Sequence, residues 1–440
     1  MASYHINGGT PLYGSVRLGG AKNASYKIMI ASLLGSGESR LLNFSKISDV
    51  SAVGEIITHL GGSIQTRGER TLFIDPSSLS NDEIPEKFGP HSRSAPMFIP
   101  VLLHRFGTAV VPHPGGDKIG ARPLDRHLLG LEQMGVTIES TPTHIKAAAK
   151  KLTGTTYHFS KNTHTGTEVM IMAGCLAEGK TILENAALEP EVDDLIDFLN
   201  SMGAQIRRRH QRIIEIDGVN TLHPTIHQIM PDRNEAVSYA CAAIATKGDI
   251  IVENAIPSHL EAFLAKLEEM GAGYEIGKYG IRFYHKGALK PVDVETKPHP
   301  GFMTDWQPIW AVLLTQTTGE SVIHETIYPQ RFQYIGHLQA MGVKVELFNP
   351  EVGEPAKFYN FDADSEVPGS FHAVKISGGN MLKPGEFTVK DLRHGATMTL
   401  AAVIAQGKSV IHNVEEIDRG YEELDARLVS MGAQIKRVDD

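Results

Sequence analysis

Hydrophobic residues along this chain change period at regular intervals. After Gly179 the run Lys180-Thr181-Ile182-Leu183-Glu184-Asn185 is rich in β-favouring side chains and predicts a strand. Val192, Leu195, Ile196, Leu199 and Met202 then recur three and four positions apart, the period of one helical face. Pro190 suits the first turn of that helix, and Gly203 is placed to end it in a left-handed conformation. Ile213-Ile214-Glu215-Ile216 reads as a further strand.

The same pattern is written six times. Opening glycines stand at 37, 107, 179, 248, 319 and 407, and closing glycines, each after Met or Leu, at 61, 135, 203, 271, 342 and 432. Within a copy the two lie 24, 28, 24, 23, 23 and 25 residues apart. Successive opening glycines are 70, 72, 69, 71 and 88 positions apart, so the fifth interval carries an insertion of nearly twenty residues. A unit of strand, helix and strands cannot bury both its helix and its sheet alone, so copies must pack together. Six copies suggest two domains of three, with helices inside or between small sheets. The segment up to Gly20 precedes the first copy and must supply an extra strand to one domain.

The 440-residue length agrees with two or three domains. Hydrophobic content of 41% and charged content of 21% are those of a globular protein with sizeable cores. A net charge of -9 and a pI near 6.1 argue against a primary nucleic-acid binder. Arg207-Arg208-Arg209 reads as a solvated strand edge. Cys175 and Cys241 sit in apolar segments without disulfide or metal-ligand spacing. The start of the chain lacks the pattern of a signal peptide, and no stretch is apolar for the eighteen or so residues of a membrane span. The expected setting is the cytoplasm, with no membrane partner.

Two stretches carry candidate chemistry. In Pro114-Gly115-Gly116-Asp117-Lys118-Ile119-Gly120-Ala121-Arg122-Pro123, glycines let the backbone approach a ligand, and one acid and two cations are set among them. Such a stretch suits either a flap over a phosphorylated substrate or a solvated turn. In Gly19-Gly20-Ala21-Lys22-Asn23-Ala24-Ser25, the strand Ser15–Leu18 ends in two glycines and leads into a helix-like run from Tyr26 to Leu34. That puts Lys22 near a helix N-terminus, where anions are favoured. No Gly-Lys-Ser/Thr follows at Walker A spacing.

Taken in order, these residues resemble the UDP-N-acetylglucosamine 1-carboxyvinyltransferase family of enolpyruvyl transferases. The resemblance covers essentially the whole chain. It is carried by Gly20-Ala21-Lys22-Asn23, the stretch 114–123, Pro231-Asp232-Arg233-Asn234-Glu235 and His299-Pro300-Gly301-Phe302-Met303-Thr304-Asp305. Arg331-Phe332, Asp391-Leu392-Arg393 and Ile417-Asp418-Arg419-Gly420-Tyr421 complete it. The related 5-enolpyruvylshikimate-3-phosphate synthases usually show Lys-Ser where this chain has Lys22-Asn23, and lack the glycine-rich flap.

The resemblance implies an α/β (α+β) fold, a two-domain inside-out α/β barrel of six βαβαββ-like repeats. Residues 22 to 231 would form one domain carrying the catalytic loop at about 112–123. Residues 1 to 21 would join 232 to 440 in the other, with the active site in the cleft between. It further implies transfer of the enolpyruvyl group of phosphoenolpyruvate to the 3′-hydroxyl of UDP-N-acetylglucosamine, through a tetrahedral ketal that loses phosphate. Those two small molecules would be its partners, with no metal and no cofactor, and its place would be peptidoglycan synthesis. Transfer to another acceptor, or sugar-nucleotide binding without turnover, are the alternatives.

By the same resemblance, Lys22, Arg93, Arg122, Arg331, Arg393 and Arg419 would hold the anionic substrate. Arginine suits this because its planar fork binds carboxylate or phosphate bidentately. Asp305 would be the base that takes the hydroxyl proton; on its own it could equally be a helix N-cap. Asp391 would orient the site or form a structural ion pair. Asn23, Arg122, Pro123, Leu124, Asp125 and Arg126 would meet the nucleotide sugar, together with Lys161, Asn162, Thr163, His164 and Ile327. Lys161-Asn162-Thr163-His164-Thr165-Gly166-Thr167-Glu168 departs from the family's common Val-Gly-Ala-Thr-Glu wording. Trp310, four after Trp306, reads as core.

The other departure is Asp117, where the family usually has cysteine. A thiol with pKa near 8.5 is mostly protonated at pH 7, whereas an unperturbed aspartate is protonated about once in a thousand molecules. To donate a proton, Asp117 must have its pKa lifted to about 7, at about 4 kcal/mol. Closure beside a phosphate pushes that way, while Lys118 and Arg122 push against it. Asp117 is thus expected to be a proton donor competent only in the closed, substrate-filled state. Asp117→Cys should remain active and gain sensitivity to fosfomycin, the family's thiol-alkylating inhibitor, which the native protein should resist. Mass spectrometry finding the drug attached at Asp117 would overturn the resistance.

Overall fold

Each copy of the repeat folds into a small sheet, an inner helix with little or no exposed face, and an outer helix buried along one stripe. In the third copy Thr156–His158 runs parallel to Lys180–Glu184, which pairs antiparallel with Ile213–Asp217, and Gln205–Arg209 forms the far edge. Arg207, Arg208 and Arg209 lie on that edge strand, and Arg208 and Arg209 pair with Asp193 and Glu215. The outer helix Pro190–Ser201 begins at the proline, and Val192, Leu195, Ile196, Leu199 and Met202 are all buried. The inner helix His164–Cys175 is buried from Gly166 to Cys175, as its apolar, small-residue sequence requires.

The computed structural model describes residues 2–89, 93–115, 119–120, 123–362 and 368–439. Among them five four-stranded sheets and one three-stranded sheet form. All six closing glycines have φ between 82° and 104°, the left-handed region that glycine enters without a side-chain clash. The residue six places after each opening glycine also recurs. It is asparagine at 43, 185, 254 and 413, each with positive φ. Asn43, Asn185 and Asn413 donate through Nδ2 to the carbonyls of Ile229, Phe159 and Val389, tying the strand end to a neighbouring segment.

The chain divides into two compact units. One holds residues 19–115 and 123–230, with inner helices at Lys22–Ser32, Ile99–Phe106 and His164–Cys175. Its first helix starts at Lys22, four residues earlier than the periodicity indicated, directly after the extended Ala21. A Cβ at Gly20 would lie 1.9 Å from the Asn43 carbonyl oxygen, so only glycine fits that approach.

The other unit holds residues 2–18 and 231–439 with Ile119 and Gly120. Its inner helices, Arg233–Ala245, Gln307–Leu314 and Leu392–Ile404, pack on one another. The N-terminal segment gives this unit two strands. Tyr13–Arg17 runs parallel to Asp249–Glu253. Ala2–Gly8 lies between Gly407–His412 and Gln434–Asp439, the place that the copy's own last strand fills elsewhere. Both cysteines are fully buried.

Trp306 precedes its helix and Trp310 lies within it. Both are buried against Phe263 and Phe302, at ring-centroid distances of 5.4–6.0 Å. Such edge-to-face packing leaves no room for smaller side chains to close the gap. Trp310→Ala should lower the unfolding free energy by about 3–5 kcal/mol in urea titrations followed by tryptophan fluorescence. A loss under 1 kcal/mol would show that this cluster is not the core of its unit.

Candidate active site

The residues singled out from the sequence recur at two places in the repeat. One is the N-terminal end of the inner helix, where Lys22, Asn23, Thr163, His164, Asp391 and Arg393 stand, with Asp305 just ahead of Gln307. The other is the stretch from the first strand into the first turn of the outer helix, which holds Pro123–Arg126, Ile327, Arg331 and Arg419. Asp117 and Arg122 lie outside the described residues. Of the glycine-rich stretch near them, Ile119 accepts a hydrogen bond through its carbonyl from the Gln330 N–H at 3.2 Å.

In the unit that contains Asp305, two arginine forks converge on that carboxylate. Arg331 Nη2 lies 2.6 Å from Oδ1 and Arg393 Nη2 3.0 Å from Oδ2. Asp305 therefore does not cap the helix that starts two residues later, and no side chain does. Arg393 also donates through Nη1 to the Tyr421 hydroxyl at 3.1 Å, and that hydroxyl lies 2.8 Å from Ser238 Oγ. Burial opposes the charge on Arg393, but Asp305 and Tyr421 outweigh it, so its pKa rises above the ordinary arginine value. Beside the two arginines lies a pocket of about 10 Å³, room for one water-sized group, edged by Gln330, Tyr334 and His394.

Asp391 acts on its own helix. Its Oδ1 accepts from the backbone N–H groups of Arg393 and His394, both at 2.9 Å. That cap sets the direction in which Arg393 leaves the helix. Asp232 does the same for Asn234 and Glu235 at 2.7 and 3.1 Å. Arg419 pairs with Glu416 at 2.8 Å.

Glu325 is a site residue that the sequence reading missed. It is fully buried, and burial pushes its carboxyl above the ordinary glutamate range. Its Oε1 accepts from the N–H groups of Ile327 and Tyr328 and from Thr296 Oγ1, and its Oε2 from Thr304 Oγ1. One carboxylate thus joins the residue before Asp305 to the segment leading to Arg331. The signal was present: Glu325 stands six places after Gly319, where four other copies have asparagine.

In the other unit, Lys22 Nζ pairs with Asp49 at 2.7 Å, and Asn23 is half-buried beside it. Arg93 and Arg126 lie near His127, whose pKa is pushed down to about 3, first by burial and then by those two cations. His127 Nε2 is 2.8 Å from Thr165 Oγ1, so the start of Asp125–Gln133 meets the start of the helix at His164. Pro123 and Asp125 are exposed, and Leu124, Arg126, Lys161 and Asn162 half-buried. Thr163 caps its helix by accepting from the Gly166 N–H at 3.2 Å.

The family description EPSP synthase (3-phosphoshikimate 1-carboxyvinyltransferase) matches residues 6–428. The UDP-N-acetylglucosamine 1-carboxyvinyltransferase of Desulfatibacillum aliphaticivorans is 39% identical over 433 residues, covering 98% of this chain and 99% of that one. A Staphylococcus aureus relative, UDP-N-acetylglucosamine 1-carboxyvinyltransferase 1, is 36% identical over 438 residues, covering 99% of each. Among solved structures, the enolpyruvyl transferase NikO from Streptomyces tendae is similar with a TM-score of 0.85 at 23% identity, covering 99% of each chain. The EPSP synthase of Acinetobacter baumannii is similar with a TM-score of 0.72 at 17% identity, covering 100% of each. The six-copy α/β architecture is that of the enolpyruvyl transferases, and the chain belongs to the EPSP synthase family, among the UDP-N-acetylglucosamine 1-carboxyvinyltransferases.

Proposed function

We propose that this protein transfers the enolpyruvyl group of phosphoenolpyruvate to the 3′-hydroxyl of UDP-N-acetylglucosamine, releasing phosphate. The hydroxyl oxygen bonds to the middle carbon of phosphoenolpyruvate while the methylene carbon takes a proton. A tetrahedral ketal results. Loss of phosphate, with return of a proton from the methyl group, then gives the enolpyruvyl ether.

The observation that carries this reading is the carboxylate of Asp305 held between two guanidinium forks. Arg331 and Arg393 supply positive charge both to Asp305 and to any phosphate or carboxylate that reaches them. Anion binding and release of the Asp305 lone pairs are therefore linked: as a substrate anion draws the arginines toward itself, Asp305 is left to take the hydroxyl proton. Glu325 and the Asp391 cap support this role by holding the two segments and the helix start from which these side chains project. Lys22, Arg93, Arg122 and Arg419 would complete the grip on phosphoenolpyruvate. Asn23, Arg122, Pro123–Arg126, Lys161–His164 and Ile327 would hold the sugar nucleotide, and Asp391 would keep Arg393 aimed at the substrate. Asp117 would protonate the methylene.

This activity is the committed step that opens peptidoglycan synthesis. The reading therefore includes a cytoplasmic place in cell-wall biogenesis, an influence on cell shape and division, and fosfomycin resistance through Asp117. Among the described residues no helix is long and apolar enough to cross a membrane.

Phosphate release measured with phosphoenolpyruvate and UDP-N-acetylglucosamine together should be robust, and absent when either is left out. No release with both present would sink the proposal. Asp305→Asn should bind both substrates with near-native affinity while kcat falls by about 10²–10⁴. Turnover within a few-fold of native would remove Asp305 from the chemistry.

A further inference from the structure

The first unit buries an ion pair that the reaction above does not use. Lys27, on the helix that begins at Lys22, is 1% exposed, and Glu168, on the helix that begins at His164, is 0% exposed. Lys27 Nζ lies 2.7 Å from Glu168 Oε1 and 2.6 Å from Oε2. A buried pair of this kind contributes little net stability against an apolar substitute of the same shape, although removing one partner alone is costly. Its third contact is to His164, whose Nε2 lies 3.1 Å from Lys27 Nζ.

That contact decides where the imidazole proton sits. An ammonium has three protons and no lone pair, so Lys27 can only donate to Nε2, and Nε2 must present its lone pair. Glu168 Oε1 is also 3.2 Å from Nε2, but that approach does not have the angles of a hydrogen bond. Of the two approaches to Nε2, the one from Lys27 has hydrogen-bond geometry. The neutral ring then carries its proton on Nδ1. Among the described residues Nδ1 has no hydrogen-bond partner, and it is not among the buried polar atoms left unsatisfied, so it faces accessible space. His164 ends the segment 161–164 assigned above to the sugar nucleotide.

We infer that Lys27 and Glu168 are positioning residues that hold His164 as the Nδ1–H tautomer, so that it donates a hydrogen bond to an acceptor atom of the sugar nucleotide. The inference rests on the proposed function for the identity of that ligand. The ion pair itself never touches the ligand; it acts through the ring.

Asparagine carries an N–H close to the place of Nδ1, and glutamine one close to the place of Nε2, so His164→Asn and His164→Gln separate the two tautomers. The apparent KM for UDP-N-acetylglucosamine should be about tenfold higher in His164→Gln than in His164→Asn, with KM for phosphoenolpyruvate alike in both. In the native protein labelled with ¹⁵N-histidine, the ring signal missing from His164→Gln should show the Nδ1-protonated pattern. In Lys27→Met/Glu168→Met, which removes both buried charges, that pattern should shift toward Nε2 protonation. If this double variant does not fold, the native spectrum and the two His164 variants still decide.

An Nε2-protonated native ring, or equal KM values in the two His164 variants of an enzyme that turns over normally, would overturn the inference and leave the function standing. Absence of phosphate release from the native protein would instead sink the function. The dissociation constants of the two His164 variants for UDP-N-acetylglucosamine would then decide the inference.

Discussion

A helix buried on every side cannot leave its first N–H groups to water, and three of the six inner helices meet this constraint with a side-chain cap. The inner helices are built from small and apolar residues such as Ala240-Cys241-Ala242-Ala243 and Ala401-Ala402, which let them pack closely inside the sheets. Polar side chains that serve the backbone of such a helix stand at its start, where the first N–H groups need acceptors. Thr163, Asp232 and Asp391 meet that need as caps. Lys22, Arg233, Glu235 and Arg393 stand in the first turns of these helices, so capping and candidate chemistry share one place, while Lys27 and Glu168 lie further in.

The copies differ where the chemistry is expected. Four of them end their first strand in an asparagine with positive φ, and three of those asparagines tie a neighbouring segment by a side-chain amide. The fifth has Glu325 instead, whose carboxylate accepts four hydrogen bonds where an amide oxygen and its N–H groups could not. The result is a rigid link between Thr304 and Ile327 on either side of the Asp305–Arg331 pair. In both units charge is buried in compact sets: Asp305 with Arg331 and Arg393 in one, Lys27 with Glu168 in the other. Each carboxylate faces at least one cation, which is what allows such groups to remain charged away from water.

Much of this was legible in the amino-acid order. The six-fold repeat follows from glycines at fixed offsets and a hydrophobic period that switches from strand to helix, both local properties. The helix face at Val192–Met202, the left-handed closing glycines, the core place of Trp310 and the buried cysteines needed no long-range information. The ordered motifs from Gly20 to Tyr421 pointed to the enolpyruvyl transferases, and full-length relatives bear that out. Local pattern could not say which carboxylate caps a helix and which faces arginines. Asp305 precedes a helix and does not cap it, while Asp391 does.

The sequence by itself determined the repeat, the buried stripes and the residue types available at each helix start, because these depend on neighbours within a few turns. Only the tertiary structure decided the partners. Arg331 and Arg393 are 62 residues apart and meet on Asp305, and Lys27 finds Glu168 across 141 positions. The N-terminal strand Ala2–Gly8 completes a sheet whose other members lie beyond residue 385. Such pairings follow from how the small sheets and inner helices of each unit pack together, and no spacing along the chain encodes them.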